Sequence, residues 1–342
     1  MTRPSCAVVV CAYTLDRWAD LCDAIASAAT QTPPPDELWL VVDHNPELLD
    51  RARAELVARH PGLQTVPNTR KKGLSGARNS AVQRVGADII VFLDDDARAA
   101  PGWLELLTQP YSDPAVLAVG GSAQPRWSPG ESRPVTLPAP DAQGRGELDW
   151  VVGCTYQGQP TTQQPVRNLM GCNMSFRTEV FGAIGGFSEE LGRVGKTPLG
   201  CEETELCIRA QSVRPDSRIV FEPGAVVSHH VSSDRLSWAY LVRRCYAEGI
   251  SKAAVSVMVG PQKALETERG YATRVLPRGV RRELAAAVRS PSRAERWRRI
   301  QGAFAIVLGL AATVIGYGRG RVNLRAGLGT SATEPWPEAS AS

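Results

Sequence analysis

The sequence predicts an α/β fold with a mostly parallel central sheet and helices on both of its faces. Apolar runs rich in β-branched residues alternate with segments in which apolar residues recur at helical spacing. The connections between these segments are short, which favours parallel strands joined by crossover helices. One run, residues 89–93, is apolar throughout, as expected of a strand that is buried on both faces.

The same patterns assign the remaining elements in chain order. Strands are expected at 7–10, 37–42, 63–66, 89–93, 168–177 and 219–227. Helices are expected at 17–29, 48–59, 180–186 and 236–255, with others opening at Gly73 and near Glu202. Residues 125–140 are rich in proline and show no periodic pattern, so they are predicted to form a long loop between two halves of the fold.

Three adjacent aspartates, Asp94, Asp95 and Asp96, follow the apolar run at 89–93. Alternation along an extended chain points Asp94 and Asp96 to the same side. At the carboxyl end of a central parallel strand, where open α/β sheets bind their ligands, such a pair suits Mg²⁺ or Mn²⁺ holding a diphosphate. The competing interpretation is a solvated acidic loop or a helix start, because Pro101 and Gly102 follow closely.

Polar residues also follow the first two predicted strands. Tyr13 comes after the first and Asp43 after the second, where Asp43 is either a helix cap or an acceptor for a base or ribose. The basic residues near Gly73 suit an anionic ligand at a helix N-terminus, although a run of charges is also typical of a solvated face. Neither a Gly-x-Gly-x-x-Gly turn after the first strand nor a P-loop occurs, which argues against dinucleotide oxidoreductases and P-loop NTPases.

A second acidic cluster, at Glu202 and Glu203, opens a predicted helix. Carboxylates favour helix N-termini, so a structural role is one interpretation. The other is a general base that takes a proton from an incoming hydroxyl. His229 and His230 follow a later strand, where an imidazole either completes a metal site with Asp96 or is structural.

Together these segments resemble the family 2 inverting nucleotide-sugar glycosyltransferases of the GT-A fold, which have a Rossmann-like sheet. The matching segments keep the family's order over about three quarters of the chain: 8–13, 41–43, 73–79, 92–96, 171–177, 185–187, 200–209 and His229. The resemblance implies transfer of a sugar from a nucleotide diphosphate sugar, in particular a UDP-sugar, to an acceptor hydroxyl.

The resemblance also implies the site residues. The nucleotide-sugar site is expected to contain Ala12, Tyr13, Asp43, Gly73, Arg78, Asp94 and Asp95. Mg²⁺ or Mn²⁺ would be held by Asp96, Asp94 and His229, the last preferred to His230 because of its spacing from Gly224 and Ala225.

The base follows from one departure from the family pattern, and the number of sugars transferred follows from an absent signature. Where the family usually carries Glu-Asp, this chain has two glutamates, so Glu203 takes the role of base, with Glu202 as the alternative. The Gln-x-x-Arg-Trp signature of processive synthases is absent, which favours transfer of a single sugar.

The C-terminal region suggests a partner. Residues 278–299 hold eight arginines against two glutamates and precede an apolar run at 303–317. This run is shorter than the roughly 20 residues of a spanning helix, so we expect either a buried core helix or an interfacial helix at an anionic membrane. A nucleic-acid partner is not expected, because no known binding motif accompanies the basic segment.

These observations divide the chain and place it in the cell. We expect a nucleotide-sugar half at 1–124, an acceptor and catalytic half at 125–260, a helical extension at 261–329 and a disordered tail at 330–342. The eight scattered cysteines and the absence of a signal-peptide pattern predict a cytoplasmic protein, associated with the inner face of the membrane. A lipid-linked or cell-envelope glycan would then be the acceptor.

Two other functions are compatible with parts of the pattern. A sugar-nucleotide-binding protein without turnover would explain the Glu202–Glu203 departure as a loss of catalysis. A sugar-phosphate nucleotidyltransferase would also need a nucleotide fold and a metal. It would normally show a glycine-rich loop and a lysine near the chain start, and residues 4–14 contain neither.

Overall fold

A computed structural model describes residues 3–191 and 200–325. Within these residues a mixed sheet forms the centre of the fold, with strand order β3-β2-β1-β4-β8-β6-β9-β5, and β7 pairs with β9. The strands are β1 (Cys6–Ala12), β2 (Glu37–Val42), β3 (Leu63–Pro67), β4 (Ile89–Asp94), β5 (Ala97–Ala99), β6 (Val116–Trp127), β7 (Gln164–Pro165), β8 (Asn173–Arg177) and β9 (Arg218–Val231). The α/β class predicted from the sequence is confirmed.

The first four strands form a parallel block, with β1 between β2 and β4. Alternate residues of β1 face the two sides of the sheet: Val8 and Val10 belong to one apolar cluster, and Ala7 and Val9 to the other. Helices cover both faces, so both sets of side chains are buried. This burial explains why the strands have continuous apolar runs.

The helices of this region include the three that the sequence predicts, each beginning within two residues of its expected start, and a further short helix, α5 (Trp103–Thr108), that it does not predict. The others are α1 (Trp18–Ala29), α2 (Pro46–Arg51), a π-helical turn (Ala52–Leu56), α3 (Val57–Arg59) and α4 (Leu74–Val82). Asn45 caps α2 by accepting a hydrogen bond from the Leu48 amide. Asp43 is therefore not the cap of this helix, and the carboxylate is available to other groups.

The second half of the sheet differs from the prediction at β6. The sequence pattern assigned 125–140 to a loop, but β6 continues to Trp127 and pairs in parallel with β9. The glycines and proline of this strand hide its pattern from sequence analysis. Two helices accompany it, α6 (Glu179–Ile184) and α7 (Glu202–Val213), and α7 holds the second acidic cluster in its first turn.

A helical extension follows the sheet, as predicted. It consists of α8 (Trp238–Val259), α9 (Pro261–Ala264), α10 (Glu266–Gly270), a π-helical turn (Tyr271–Val275), α11 (Leu276–Arg289) and α12 (Arg293–Arg325). The tail predicted to be disordered, 330–342, lies outside the described residues.

Helices α8 and α12 pack closely through small residues. A Cβ added to Gly316 would lie 2.1 Å from the carbonyl oxygen of Tyr246, and one added to Gly249 would lie 2.1 Å from that of Thr313. Only glycine permits this approach of the two backbones. The apolar run that predicted a short helix is therefore part of a helix of 33 residues held along α8.

The two faces of α12 have different surroundings. Its small residues, including Ala305, Gly309 and Ala312, are buried, whereas the large apolar residues Phe304 and Ile315 are exposed. The expectation of a buried core helix at 303–317 therefore holds only for the face of α12 that carries the small residues. Among the described helices, α12 alone is long and apolar enough to cross a membrane by length and composition, with 39% of its most apolar window buried.

Candidate active site

Strand pairing assembles an Asp-Asp-His group at one edge of the sheet. β4 ends at Asp94, a turn follows at Asp95 and Asp96, and β5 then pairs with β9 so that Ala97 lies opposite His229. One potential ligand atom from each of Asp94, Asp96 and His229 lies within 4.8 Å of the other two. These are the three residues that the sequence predicted as metal ligands.

Asp96 is the most strongly held carboxylate of the group. Its oxygens lie 3.2 Å from Nε2 of His229, 3.0 Å from Nη1 of Arg17 and 3.4 Å from Nη2 of Arg235. Burial raises the pKa of Asp96, but the neighbouring His229, Arg235 and Arg17 outweigh it and hold the pKa well below its usual range. Asp96 is therefore ionised near neutral pH.

The neighbouring Asp95 has a different environment. It is buried, and its Oδ1 accepts a hydrogen bond from Arg17 at 3.1 Å. Burial and the charge of Asp96 raise the pKa of Asp95 to about 7, in spite of Arg17. The arginine thus holds both turn carboxylates at the edge of the site.

The ring of His229 is fixed by packing. Gly153, at φ +81°, lies against it so closely that an added Cβ would be 2.7 Å from Cε1. The buried Nδ1 of this ring has no hydrogen-bond partner among the described residues. An imidazole with a free nitrogen and two carboxylates form a donor set that fits Mg²⁺ or Mn²⁺.

His230, the alternative ligand, is engaged elsewhere. Its Nδ1 lies 2.6 Å from Oδ2 of Asp20, and its Nε2 lies 2.9 Å from the hydroxyl of Ser128. Successive residues of β9 point to opposite faces, so only one of the two histidines reaches the carboxylates. That residue is His229.

Arg78 joins the two acidic clusters. Its side chain is buried and donates hydrogen bonds to Glu202 at 2.9 Å, to Asp94 at 3.3 Å and to the carbonyl of Gly171 at 2.9 Å. Burial lowers the pKa of Arg78, but Glu202 and Asp94 outweigh it and raise the pKa overall. The arginine thereby ties α7 to the end of β4.

Glu203 is half-buried and lines the same cavity as Asp94 and His229. Burial and the negative charge of Glu202 raise its pKa to about 8. Glu202 and Glu203 therefore differ: Glu202 has Arg78 as partner, whereas Glu203 is a carboxyl poised to exchange a proton near neutral pH.

Asp43 organises a group of hydrogen-bonded residues at the ends of β1 and β2. It accepts hydrogen bonds from Asn68 at 2.6 Å and from the amide of Gly73 at 2.9 Å, and its own amide donates to the carbonyl of Ala12 at 2.8 Å. Tyr13 is 39% exposed beside it. The predicted nucleotide residues of this region are thus brought together.

A cavity of about 500 Å³ lies between the two acidic clusters and the helical extension. Its lining includes Asp94, Glu203 and His229 together with residues of α10 and α12 such as Glu268 and Tyr317. A space of this size accommodates a small-molecule ligand.

The family of the chain follows from comparison with known proteins. The model of glycosyl transferase family 2 matches residues 7–185. The chain belongs to this family. This family 2 glycosyltransferase is 31% identical over 316 residues to the glucosyl-dolichyl phosphate glucuronosyltransferase of Haloferax volcanii, covering 91% of this chain and 94% of that protein.

Two solved structures share the fold of this family 2 glycosyltransferase. A mannosyltransferase from Pyrobaculum calidifontis, in complex with GDP-Man and Mn²⁺, superposes with a TM-score of 0.58 at 19% identity, covering 94% of this chain and 87% of that one. The structure of GalNAc-T7 with UDP, GalNAc and Mn²⁺ superposes with a TM-score of 0.51 at 16% identity, covering 80% of this chain and 57% of that one. The GT-A fold expected from the resemblance is confirmed.

Several residues at the site were missed by sequence analysis. Arg17 and Arg235 contact Asp96, and Arg244 and Lys252 line the cavity, but none lies in a recognisable motif. Arg17 follows the first strand by a few residues, and this position near the edge of the sheet was the one indication in the sequence that Arg17 could belong to the site.

Proposed function

We propose that this glycosyltransferase moves a single sugar from a UDP-sugar to an acceptor hydroxyl, with inversion at the anomeric carbon and in cell-envelope glycan or glycolipid synthesis. The observation that carries the proposal is one cavity lined by Glu203 and by two members of the Asp-Asp-His group, Asp94 and His229. Donor diphosphate and acceptor hydroxyl would meet there.

The donor half of the site would use the group of residues around Asp43. Its carboxylate and the backbone of Ala12 and Gly73 offer partners to a base and ribose, and the exposed ring of Tyr13 offers a stacking surface. Asp94, Asp95 and Arg78 would extend this group toward the diphosphate. The two structural neighbours carry GDP and UDP respectively, so the preference for uridine is part of the proposal.

Glu203 would act as the base, since it forms no ion pair with an arginine among the described residues and has a pKa near the working range. It would take the proton of the acceptor hydroxyl as that oxygen attacks from the face opposite the leaving group. Glu202 would hold Arg78 rather than exchange a proton. A bound Mg²⁺ or Mn²⁺ would offset the negative charge of the leaving diphosphate.

The acceptor would be a glycan or a lipid-linked sugar. The name of the Haloferax volcanii relative includes a glucosyl-dolichyl phosphate, and the similarity to this chain extends over 94% of that relative. Each of the three segments would have its own role. Residues 1–124 would bind the donor, and residues 125–260 would bind the acceptor. Residues 261–329 would position the protein. Strand β6 crosses the 124/125 boundary, so the first two parts share one sheet.

The helical extension would rest on the inner face of the cytoplasmic membrane. The exposed apolar residues of α11 and α12 would make this contact: Leu284, Val288, Trp297, Phe304, Val307, Val314, Ile315 and Val322. Arginines flank those of α12 at Arg293 and Arg325. Such a pattern suits anionic lipids and an apolar layer below them.

Donor binding tests the proposal. Calorimetry with a panel of nucleotide sugars should show one UDP-sugar that binds only with Mn²⁺, and Asp96→Ala should abolish that binding. Glu203→Gln should keep donor binding and lower turnover by about 10²–10⁴-fold, as expected for loss of a general base. Turnover unchanged by Glu203→Gln would remove Glu203 from the mechanism.

Vesicle flotation tests the membrane contact. The full chain should float with anionic vesicles and less with neutral ones. Replacing both Phe304 and Ile315 by serine should weaken flotation without changing donor binding. A full chain that stays in the soluble fraction with both vesicle types contradicts the membrane proposal.

A further inference from the structure

The cavity lining contains charged side chains that the proposed reaction does not use. Lys252 Nζ lies 2.6 Å from Glu268 and 3.6 Å from Glu248, and Arg244 lies 2.8 Å from Glu248. Arg167 forms two hydrogen bonds of 2.7 Å with Glu268. All five residues line the cavity, so the cluster faces the ligand space.

This cluster carries more positive than negative charge. Its three cations, Arg167, Arg244 and Lys252, share two carboxylates. Burial raises the pKa of Glu268, but Lys252 and Arg167 outweigh it and lower the pKa to about 2, so this carboxylate is ionised at neutral pH. A buried excess of positive charge is costly without an anion nearby.

Arg244 has unused capacity for such an anion. Its side chain is largely buried above the ring of Trp150, with 5.5 Å between Cζ and the ring centroid. Its Nε has no hydrogen-bond partner among the described residues. The guanidinium also lines the cavity, so an anion there would lie within reach of its positive charge.

The cluster lies next to the proposed base. Sγ of Cys201, two residues before Glu203, is 3.2 Å from Oε1 of Glu248. A small group bound between Glu203 and the cluster would thus have its hydroxyl at one end and an anionic substituent at the other. This arrangement matches a sugar that carries a phosphate.

Part of the cavity lining is apolar and comes from the helical extension. It includes Leu276, Leu310 and Tyr317, and also Val314, which is 62% exposed. Val314 adjoins Ile315, another of the exposed apolar residues of α12. An apolar chain attached to the phosphate would leave the cavity along this helix.

We propose that Arg244 and Lys252 form a subsite for the phosphate of a lipid-phosphate-linked sugar acceptor, whose hydrocarbon chain leaves the cavity past Val314. This inference rests on the proposed function, because it assigns the acceptor of that reaction. It goes further by naming the acceptor's anionic group and its cations. Glu248 and Glu268 hold these cations in place.

Calorimetry with the full chain and three ligands tests the subsite: farnesyl phosphate, farnesol and inorganic phosphate. Farnesyl phosphate should bind at least about tenfold more tightly than either other ligand, since a charged hydrogen bond and the apolar chain both contribute. Its binding should persist with EDTA and in Asp96→Ala. Binding that requires Mn²⁺ would mean that the phosphate occupies the metal group instead, and would overturn the proposal.

Matched variants on α8 identify the cations. Lys252→Met leaves each glutamate with an arginine, so the fold should be kept, and it should weaken farnesyl phosphate binding about tenfold while sparing farnesol. Arg243→Met is the control, because this neighbouring arginine lies over Tyr240 and does not line the cavity. If Lys252→Met fails to fold by its melting curve, Arg244→Gln takes its place in the comparison.

The outcomes separate this inference from the proposed function. A UDP-sugar that binds with Mn²⁺, together with equal binding of farnesol and farnesyl phosphate, overturns the subsite alone. Inorganic phosphate that binds as tightly as farnesyl phosphate overturns the lipid part of the proposal. Selective binding of farnesyl phosphate without any nucleotide-sugar binding supports the subsite and contradicts the donor chemistry.

Discussion

Nη1 of Arg78 lies 2.9 Å from Oε1 of Glu202, and both side chains are almost fully buried. Arg78→Met should lower the free energy of unfolding by about 3–5 kcal/mol, because it leaves a buried carboxylate without its partner. Denaturation in urea measures the loss. Arg84→Met, an exposed arginine just after the same helix, should change stability little. The double variant Arg78→Met/Glu202→Gln should recover part of the lost free energy of unfolding. If its loss instead equals the sum of the losses of the two single variants, the pairing of Arg78 with Glu202 is contradicted.

The pH profile should report Glu203. A base must be ionised, and the pKa of Glu203 is raised to about 8, so kcat/KM should climb as pH rises through about 8 and level above it. Glu202→Gln removes one of the charges that raise this pKa and should move the rising limb to lower pH. A limb that does not move in this variant would show that another group controls the profile.

The two adjacent histidines should differ in metal binding. His229→Ala removes a nitrogen from the Asp-Asp-His group and should weaken Mn²⁺ binding, measured by calorimetry, by about tenfold or more. His230→Ala removes contacts with Asp20 and Ser128 instead, and should leave Mn²⁺ affinity unchanged while lowering the melting temperature. Equal effects of the two substitutions on Mn²⁺ affinity would contradict the assignment.

Replacing two different glycines of α12 by alanine should change the stability of the protein in opposite directions. Gly316→Ala directs a methyl group against the backbone of Tyr246 and should destabilise the protein by about 1–3 kcal/mol. Gly318 has no neighbouring atom within 4 Å of an added Cβ, so Gly318→Ala should stabilise the helix by up to about 1 kcal/mol. Melting curves of the two variants provide the comparison, and a common sign would argue against close packing with α8.

Sequence analysis predicted those parts of the molecule that local pattern controls. The run before Asp94 is apolar because β4 is buried on both faces, and the aspartates end it abruptly. The length of α12 was missed because its burial depends on contacts with α8 rather than on a regular apolar stripe. Arg244 and Lys252 were missed for the same reason, since their neighbours in space are distant in the chain.

The register that sets Ala97 opposite His229 also determines which changes in chain length β9 can accept. One residue inserted just before His229 would turn that imidazole to the other face of the sheet. One residue deleted there would move His230 into the vacated position, so an imidazole would still face Asp96. Paired histidines thus make this edge tolerant of shortening but not of lengthening, and natural variation in the length of β9 should be biased in that direction.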